Sequence, residues 1–600
     1  MQSVGLALLP VLFFVFNSTR LWESDGQECQ SSSAMCEQRD MAPRMNSPKN
    51  LLAGSGTSIL SNAPPRLVLP HEHGSILSAP DGKTAVEWIG LNRARLDANP
   101  CDVQGMPLSR LRAWAREALL EEAVRFTSSL RNVNVSQSVS RIGSLAAAGP
   151  LVVTGHQPEL FHAGVWAKNF AAAGLARRCE GVALNLIVDN DTLDSVRLRV
   201  PVGSPSAPRI ERLAFDADRP AQPWEEATVV DRKLFREFGA RVTSLLRENW
   251  SFTPLIEQCW LSAVRHLEDS RGLCDCLTAA RVAAERSYGC QNLELPMSRV
   301  CDTAPFRHFA AHLLAHLPRV HSVYNAAVRE YRHEHRLRNA SHPVPDLATQ
   351  DDWLEAPFWI WRVGDQQRDR PFVRRVGSHL ELRDSRAVLA RWIQTEAGST
   401  EESVATLADF ARQGLRFRTR ALTTTLFARL CLADLFLHGI GGAKYDAMTD
   451  LICEQLFSVT APHFATVSAT FHLPLGTTSP TNSVTDEQFR RRIRDLRFNP
   501  DRHITPPFGS INVALVDEKR SLIESLASRR PTASETRRIE EINAALVPST
   551  REQERLWQSE REAARQRRAV ESIQRDREFA WCLYSGEELA AKLRAAFDVG

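Results

Sequence analysis

The chain has 600 residues, 43% of them hydrophobic and 24% charged, a composition typical of folded globular proteins. A single hydrophobic core stops growing near about 250–300 residues, so we expect roughly two to four structural units. The 74 basic and 71 acidic residues leave a net charge of only +3, which argues against nucleic-acid binding, since that needs a clustered basic face.

The cysteines and histidines show no metal-ligand spacing. No CxxC pair occurs among the twelve cysteines, and the closest pair, Cys274 and Cys276, would point its thiols apart on a helix. The His-Glu-His segments at 71–73 and 333–335 lack the HExxH spacing that puts two histidines on one helix face. We therefore expect no metal site, and reduced, mostly buried thiols in a cytoplasmic protein.

The N-terminus opens with an apolar run at residues 5–16. No Lys or Arg precedes the run and no A-x-A site follows it, which is unusual for a secretory signal. It is also shorter than the roughly 20 residues that a membrane-spanning helix needs. We expect residues 1–60 to be either a disordered, signal-like extension or a stretch upstream of a true start at Met41 or Met45, with no stable membrane span.

Elements of an α/β core follow from about residue 61. Residues 66–79 are predicted to form an entry strand, and residues 109–131 a helix with apolar positions at helical spacing. The next elements are a strand at 151–153, a loop at 156–162, a helix at 163–178 and a strand at 182–188. Strand, loop, helix and strand within about 40 residues is typical of a right-handed βαβ unit on a parallel sheet.

The remainder of the chain divides into three regions. Residues 231–345 are predicted to be a helical insertion, and residues 346–485 the second part of the core. The elements expected in that second part are an aromatic strand-like run at 352–362, an apolar run at 421–436, a glycine turn at 437–442, a helix at 443–457 and a strand at 464–473. Residues 486–600 are charged and helical, which predicts an extended helical hairpin or a coiled coil, and a homodimer. The expected fold is therefore α/β, with a Rossmann-like parallel-sheet core, helical insertions and a C-terminal helical coiled coil.

Polar residues follow two neighbouring strands of this predicted sheet. His156 and Gln157 come after the first strand, and Asp189, Asn190 and Asp191 come after the second. In open α/β sheets, ligands bind beyond the carboxyl ends of the strands. We therefore predict that these five residues converge on one crevice and are the candidate catalytic residues.

The loop after the first strand carries several candidate binding residues. His156 lies where the following helix favours anions, and its imidazole could act as an acid–base group or contact phosphate. The alternative is a histidine that hydrogen-bonds its own turn. Thr154, Gly155 and His162 share the loop, and Lys168 lies two turns into the helix, where a solvated lysine is the alternative.

Asp189 and Asp191 flank Asn190 at the end of the second strand. Two carboxylates at this spacing could hold Mg²⁺, bind ribose hydroxyls or raise the pKa of one another. The alternative is an Asx turn with a helix cap at Asp191 and Thr192. A small-molecule substrate, and ATP or ADP with Mg²⁺, are the ligands that this pattern favours.

The glycine turn before the helix at 443–457 is a second candidate binding element. Backbone amides near Gly439, Gly441 and Gly442 could hold a phosphate or carboxylate, and Lys444 and Tyr445 would lie beside them. The G-x-x-x-x-G-K-[ST] pattern of a P-loop is absent. A tight turn with no ligand is the alternative.

The chain resembles the cysteine-adding enzymes of bacillithiol biosynthesis. Their strand–TGQQ–loop–helix motif is similar to Thr154-Gly155-His156-Gln157, and the end of their Glu-Asp-His-Asp cluster is similar to Asp189-Asn190-Asp191. Their arginine-rich segment and Gly-Gly-x-x-x-x-Tyr turn resemble residues 418–422 and 441–445. A narrower similarity, over residues 156–168, links the chain to the WbqC-like proteins of surface-polysaccharide clusters.

The resemblance implies a ligase-type reaction that joins cysteine, or another amine, to a carboxylate on a sugar-derived acceptor, in a dimeric enzyme with a C-terminal coiled coil. Val188, Asn190 and His156 depart from the family pattern, since they replace an acid, a histidine and a glutamine. Such a site could act on another substrate or only bind one. The competing interpretation is a non-catalytic nucleotide- or sugar-binding scaffold that dimerises through its coiled coil.

Overall fold

A computed structural model describes residues 67–130, 149–204, 207–394, 400–475, 484–504 and 510–598. The predicted N-terminal extension at residues 1–60, with Met41 and Met45, lies outside these ranges. None of the helices within these ranges is both long enough and apolar enough to cross a bilayer.

The described residues form a mixed α/β fold. The strands are β1 Ser75–Ala79, β2 Leu151–His156, β3 Val182–Ile187, β4 Thr192–Leu193, β5 Arg197–Val202, β6 Arg209–Ala214, β7 Gln222–Pro223, β8 Leu293–Pro296, β9 Thr349–Gln350, β10 Trp353–Glu355, β11 Phe358–Arg362, β12 Phe372–Val376, β13 His379–Arg383, β14 Val388–Ile393, β15 Leu415–Thr419, β16 Leu435–His438 and β17 Phe464–Thr470. The helices are α1 Gly82–Asp97, α2 Leu108–Ser129, α3 Ala163–Arg178, α4 Arg232–Trp250, α5 Ile256–His266, α6 Leu273–Ser287, α7 Met297–Cys301, α8 Ala304–Ala315, α9 Leu317–Glu334, α10 Thr400–Arg412, α11 Ala421–Phe427, α12 Ile440–Phe457, α13 Asp486–Phe498, α14 Ser510–Ser525, α15 Ala533–Leu546, α16 Arg551–Gln574 and α17 Gly586–Phe597.

A six-stranded sheet in the order β1-β17-β16-β2-β3-β8 lies at the centre of the fold. Strands β17, β16, β2, β3 and β8 are parallel, and β1 pairs antiparallel to β17 at one edge. The chain passes outward from β2 through β3 to β8, and it returns to the other side of β2 as β16 and β17. The strand order therefore reverses between β2 and β16, and loops that diverge at such a point leave a crevice at the carboxyl ends of the strands.

Helices cover both faces of this sheet. Val153 and Leu184 belong to a buried cluster with α2, α8, α9 and α12, whereas Val152 and Ala183 belong to a cluster with α3 on the opposite face. Successive side chains of a strand point to opposite faces. Both faces are buried, and this explains the continuous apolar runs in the sequence. The predicted α/β class with a parallel sheet is confirmed.

The first βαβ unit follows the sequence closely, with one difference. Helix α3 has the predicted bounds, but β2 continues past residue 153 to His156. The polar Thr154 can lie in this buried strand because its hydroxyl donates to the Leu437 carbonyl over 3.1 Å. Gly155 fits because a Cβ there would lie 2.8 Å from the carbonyl oxygen of Leu186.

Residues 231–345 are not purely helical, and that part of the prediction is corrected. They contain α4 to α9, and also β8, the edge strand of the central parallel sheet. Strand β8 has only four residues, and its fully buried Glu294 is paired with Arg281 over 2.5 Å. A short strand with a buried charge lacks the apolar pattern by which strands are recognised.

The second part of the α/β core was expected to begin at residue 346, but residues 349–393 contain antiparallel strands. A five-stranded sheet has the order β14-β13-β12-β10-β9, and β11 pairs with β15 beside it. The strand-like aromatic run at 352–362 is confirmed as β10 and β11. Strand β15 ends at Thr419, beside the loop that follows β3.

The C-terminal region consists of two parts. Helix α16 packs along α13, and α14 packs along α15, around buried residues such as Phe489 and Leu546. The last segment, from Phe579, lies instead in the α3 cluster of the core. Trp581 stacks on Trp166 with 4.9 Å between ring centroids, and its backbone N–H donates to the Phe161 carbonyl over 2.9 Å. The region at 486–600 is therefore not one helical unit, because its end completes the core.

Candidate functional site

The loops that carry the two predicted motifs begin side by side. Leu437 of β16 pairs with Thr154 of β2, and His156 pairs with Ile187 of β3. His156, the Asp189 loop and Gly439 therefore leave the same edge of the sheet, on either side of the point where the strand order reverses.

Gln157 and Asp191 are in direct contact. Gln157 Nε2 donates to Asp191 Oδ2 over 2.9 Å. The other oxygen, Oδ1, lies 3.0 Å from the Arg368 guanidinium and accepts the Thr192 backbone N–H over 2.9 Å. Arg368 also donates to the Asn190 carbonyl, so the loop before β12 is tied to the loop after β3. The Asp191 carboxylate has protein partners at both oxygens.

Asp189 and Asn190 are also held by neighbouring elements. Asp189 accepts the backbone N–H of Ser298 over 2.8 Å and the hydroxyl of the same residue. Burial and the nearby Glu225 raise the pKa of Asp189 to about 7. The Asn190 amide donates to the Thr419 carbonyl over 2.9 Å, while Asn190 Oδ1 is buried and has no hydrogen-bond partner in the described part of the chain.

These contacts bear on the predicted Mg²⁺. The carboxylate of Asp189 accepts hydrogen bonds from the backbone N–H and the hydroxyl of a serine, and that of Asp191 is bound by a glutamine and an arginine. Within the ranges that the structure describes, no group of three or more His, Cys, Asp or Glu side chains could hold a metal ion. With these partners in place, the two aspartates do not fit a magnesium ion.

His156, His162 and Lys168 form a poorly hydrated basic cluster beside this crevice. Burial, followed by the charges of Lys168 and His162, holds the pKa of His156 well below its usual range. Burial lowers the pKa of Lys168 to about 7, and Lys168 Nζ donates to the Gly155 carbonyl over 2.6 Å. The buried Lys168, 4% exposed, is therefore not the solvated helix lysine that the sequence left open.

His162 stabilises the start of helix α3. Its Nδ1 accepts the Gly164 backbone N–H over 3.1 Å, so it caps the N-terminus of α3. Burial, with the charge of Arg577 next, lowers the pKa of His162 to about 3. A neutral imidazole is the form that can accept this capping hydrogen bond.

The glycine turn is shorter than predicted, and that expectation is corrected. Helix α12 begins at Ile440, so Gly441 and Gly442 lie in its first turn and only Gly439 precedes it as the N-cap. A Cβ at Gly442 would lie 2.8 Å from His438 Nδ1, whereas a Cβ at Gly439 would meet no atom within 4 Å. Gly442 permits close packing, and Gly439 leaves open space at the helix N-terminus.

The side chains of Lys444 and Tyr445, the two other residues proposed around this turn, have different surroundings. Lys444 is exposed on α12. Tyr445 is half-buried and packs edge-on against Tyr331 and His342, with ring centroids 5.9 and 5.8 Å away. Tyr445 therefore contributes to the packing of α12 on α9.

Beneath this turn lies a buried charge network that the sequence did not indicate. Asp446 Oδ2 lies 2.9 Å from His438 Nε2 and 2.5 Å from Arg429, which also reaches Asp450 over 2.7 Å. Although burial opposes it, the charges of Arg429 and His438 hold the pKa of Asp446 below its usual range. The network fixes the start of α12 to the end of β16.

Sequence reasoning also missed two residues at the mouth of the crevice. Arg368 closes one side and stacks over Trp359, 4.6 Å from its ring centroid. Glu159 lies in the loop after β2, with its Oε1 4.0 Å from His156 Nδ1. Glu159 is part of the same loop as the predicted motif, so its proximity to His156 was a usable signal, whereas nothing local links Arg368 to Asp191.

A scan against models of known protein families finds no match to this chain, and neither does a search of curated protein sequences. The similarity to cysteine-adding enzymes stays a prediction based on short motifs. The functional interpretation therefore depends on the chemistry of the crevice residues.

Proposed function

We propose that the chain is a ligase or group-transfer enzyme that joins an amine, such as that of cysteine, to a carboxylated, sugar-derived acceptor. The reaction takes place in the crevice between the loops after β2, β3 and β16. The proposal includes a Rossmann-like core. When the parallel strands are numbered 1 to 5 along the chain, from β2 to β17, their order across the sheet is 3-2-1-4-5, which supports this description.

The state of His156 is the observation that carries this proposal. Its Nδ1 lies 3.4 Å from the Gln157 carbonyl oxygen, which can only accept a hydrogen bond. Nδ1 therefore carries the proton, and Nε2 keeps its lone pair. With a pKa held low mainly by burial, this imidazole is neutral at pH 7, the form in which Nε2 has a lone pair for a proton.

The open N-terminus of α12 suits the anionic part of the acceptor or of a nucleotide. Gly439 caps the helix without a side-chain hydrogen bond, and a Cβ there would meet no atom of the described residues within 4 Å. The first-turn amides and the helix dipole favour a carboxylate or phosphate there. ATP would supply the phosphoryl group that turns the carboxyl oxygen into a leaving group.

The chain's own residues then have defined roles. Nε2 of His156 takes one proton from the donor ammonium, and the freed nitrogen forms a bond to the acceptor carboxyl carbon. The C–O bond to the phosphorylated oxygen then breaks, and phosphate leaves with a second proton from the same nitrogen. Gln157 and Arg368 hold Asp191 in place, and Lys168 fixes the Gly155 carbonyl at the end of β2.

The experiment is an end-product assay. The full chain is incubated with ATP, cysteine and a panel of carboxylated sugars, and mass spectrometry follows the condensation product and ADP. We expect one product per ADP, and a loss of about 100-fold in rate for His156→Asn. His333→Asn, an exposed histidine on α9, is the matched control and should keep the wild-type rate.

A second candidate function is a non-catalytic nucleotide- or sugar-binding scaffold that forms a homodimer through its C-terminal helices. The observation that favours it is the engagement of Asp189, Asn190 and Asp191 in hydrogen bonds within the protein. Calorimetric binding of ADP or a carboxylated sugar without turnover of any donor and acceptor pair would support the scaffold and overturn the ligase.

A further inference from the structure

We infer that Glu159 is the carboxylate partner of His156, placed to stabilise the imidazolium that forms when His156 accepts a proton. This inference deepens the proposed function and rests on it for the identity of the proton donor. It adds a positioning residue that neither motif contains.

The geometry of the loop after β2 supports this role. Glu159 Oε1 lies 4.0 Å from His156 Nδ1, three residues away along the chain. The His156 ring is packed edge-on against Phe161, with 5.1 Å between centroids. Nδ1 lies 3.4 Å from the Gln157 carbonyl oxygen and 4.0 Å from the Glu159 carboxylate, so neither group uses Nε2. A carboxylate on the Nδ1 side of the ring can orient a catalytic imidazole.

The remaining distance is longer than a hydrogen bond, and it is expected to shorten in the reaction. A neutral Nδ1–H attracts a carboxylate weakly, whereas an imidazolium attracts it strongly. Hydrogen bonds of catalytic pairs are often long before substrate binds and tighten afterwards. The Glu159 side chain is 53% exposed, so it is free to move this distance.

The charges around Glu159 are mainly negative. Asp191 and Asp194 from the loop after β3, and Glu578 from the C-terminal segment, all face it. The surrounding protein displaces water from the Glu159 carboxyl, and this loss of hydration, together with the three carboxylates, raises its pKa to about 7. The rest of the side chain is half-exposed at the crevice mouth. The nearby cation Arg368 is engaged by Asp191.

A prediction for pH dependence follows from this arrangement. Glu159 gains its charge as pH rises through about 7, and the ionised form is the one that stabilises the imidazolium. The rate constant kcat/KM should therefore rise with pH through about 7. His156 remains neutral over this range, because its own pKa is held well below its usual value.

A test that does not depend on turnover uses nitrogen NMR of the full chain labelled with ¹⁵N-histidine. The His156 signals are assigned by their loss in His156→Asn. In the wild type, the Nδ1 shift should change with a midpoint near pH 7 as Glu159 ionises, and Glu159→Gln should abolish that transition. An unchanged transition in Glu159→Gln would overturn the inference.

Glu578→Gln is the matched control, since it removes a carboxylate that faces Glu159 from the C-terminal segment. The transition should persist and its midpoint should move to lower pH, because one repelling charge is gone. Loss of the transition in this variant would show that Glu159 is not its source, and so would contradict the inference.

Kinetics separate this inference from the proposed function. If ligation is observed, Glu159→Gln should lower kcat/KM at pH 8 by about 10- to 100-fold and remove the rise near pH 7, while Glu159→Asp recovers part of both. Retention of the wild-type pH profile in Glu159→Gln would refute the role of Glu159 and leave the ligase proposal standing. Absence of any ligation would refute the ligase proposal, while the NMR transition would still decide the contact between Glu159 and His156.

Discussion

Gln157 donates a hydrogen bond to Asp191 over 2.9 Å and so joins the loops that follow two neighbouring parallel strands. Each residue belongs to a motif that the sequence placed at a strand end. Their contact fixes the relative position of these loops, and Arg368 completes the arrangement from a third element.

Removal of the Asp191 charge should destabilise the protein. In Asp191→Ala, the nearly buried Arg368 loses its carboxylate, and an unpaired buried charge costs about 3–5 kcal/mol of unfolding free energy. Chemical denaturation measures this difference. Glu211→Ala, which removes an exposed partner of Arg209, is the control and should change the unfolding free energy by less than about 1 kcal/mol. Equal effects in the two variants would contradict the role of the buried pair.

The stability of the protein should rise with pH above 7 because of Lys168. Its pKa is lowered to about 7 in the folded chain from a usual value of 10.5, so the unfolded chain binds more protons between these values. The contribution of this group to the unfolding free energy therefore grows by up to about 1.4 kcal/mol per pH unit in that window. Denaturation of Lys168→Met from pH 7 to 10 should give a smaller slope than the wild type, and an identical slope would count against the assignment.

Asp446 should also stabilise the protein more as pH rises, but in the acid range. Its pKa is lower in the folded chain than the usual 3.8, mainly because of Arg429 and His438, so its contribution is present above the unfolded value and lost as pH falls. In Asp446→Asn, the unfolding free energy should be lower at pH 7 and should depend less on pH in the acid range. Acid titration followed by circular dichroism tests this expectation.

Two helical glycines should respond in opposite ways to alanine. A Cβ at Gly442 would lie 2.8 Å from His438 Nδ1, so Gly442→Ala should lower the unfolding free energy by about 1–3 kcal/mol. A Cβ at Gly90 in α1 meets no atom within 4 Å, so Gly90→Ala should raise it by about 0.5–1 kcal/mol. Thermal and chemical denaturation of both variants provide the comparison.

The local parts of the fold were predictable from the sequence. The bounds of α3 and the position of Asp189 after β3 follow from apolar periodicity over a few residues. The four-residue strand β8 was missed because its centre is the buried Glu294, whose partner Arg281 lies on another element. Local patterns carry no information about such pairing.

In the candidate site too, some residues were predictable from local sequence and others were not. His156, Gln157 and Asp191 were found because they follow strands, and two of them do touch. Arg368 is far from Asp191 in sequence, and the Glu578 that faces Glu159 comes from the C-terminal segment, so only the tertiary fold could reveal them. Gly441 and Gly442 were interpreted as a loop because glycine is a poor helix former, but close packing on His438 selects Gly442 within the helix.

The stacking of Trp581 on Trp166 has a consequence for how the protein is made. Helix α3 leaves the ribosome several hundred residues before the segment that covers its outer face. During synthesis, the apolar surface around Trp166 therefore lacks this cover until the segment from Phe579 has been made. The nascent chain in that interval presents an apolar surface to which chaperones can bind.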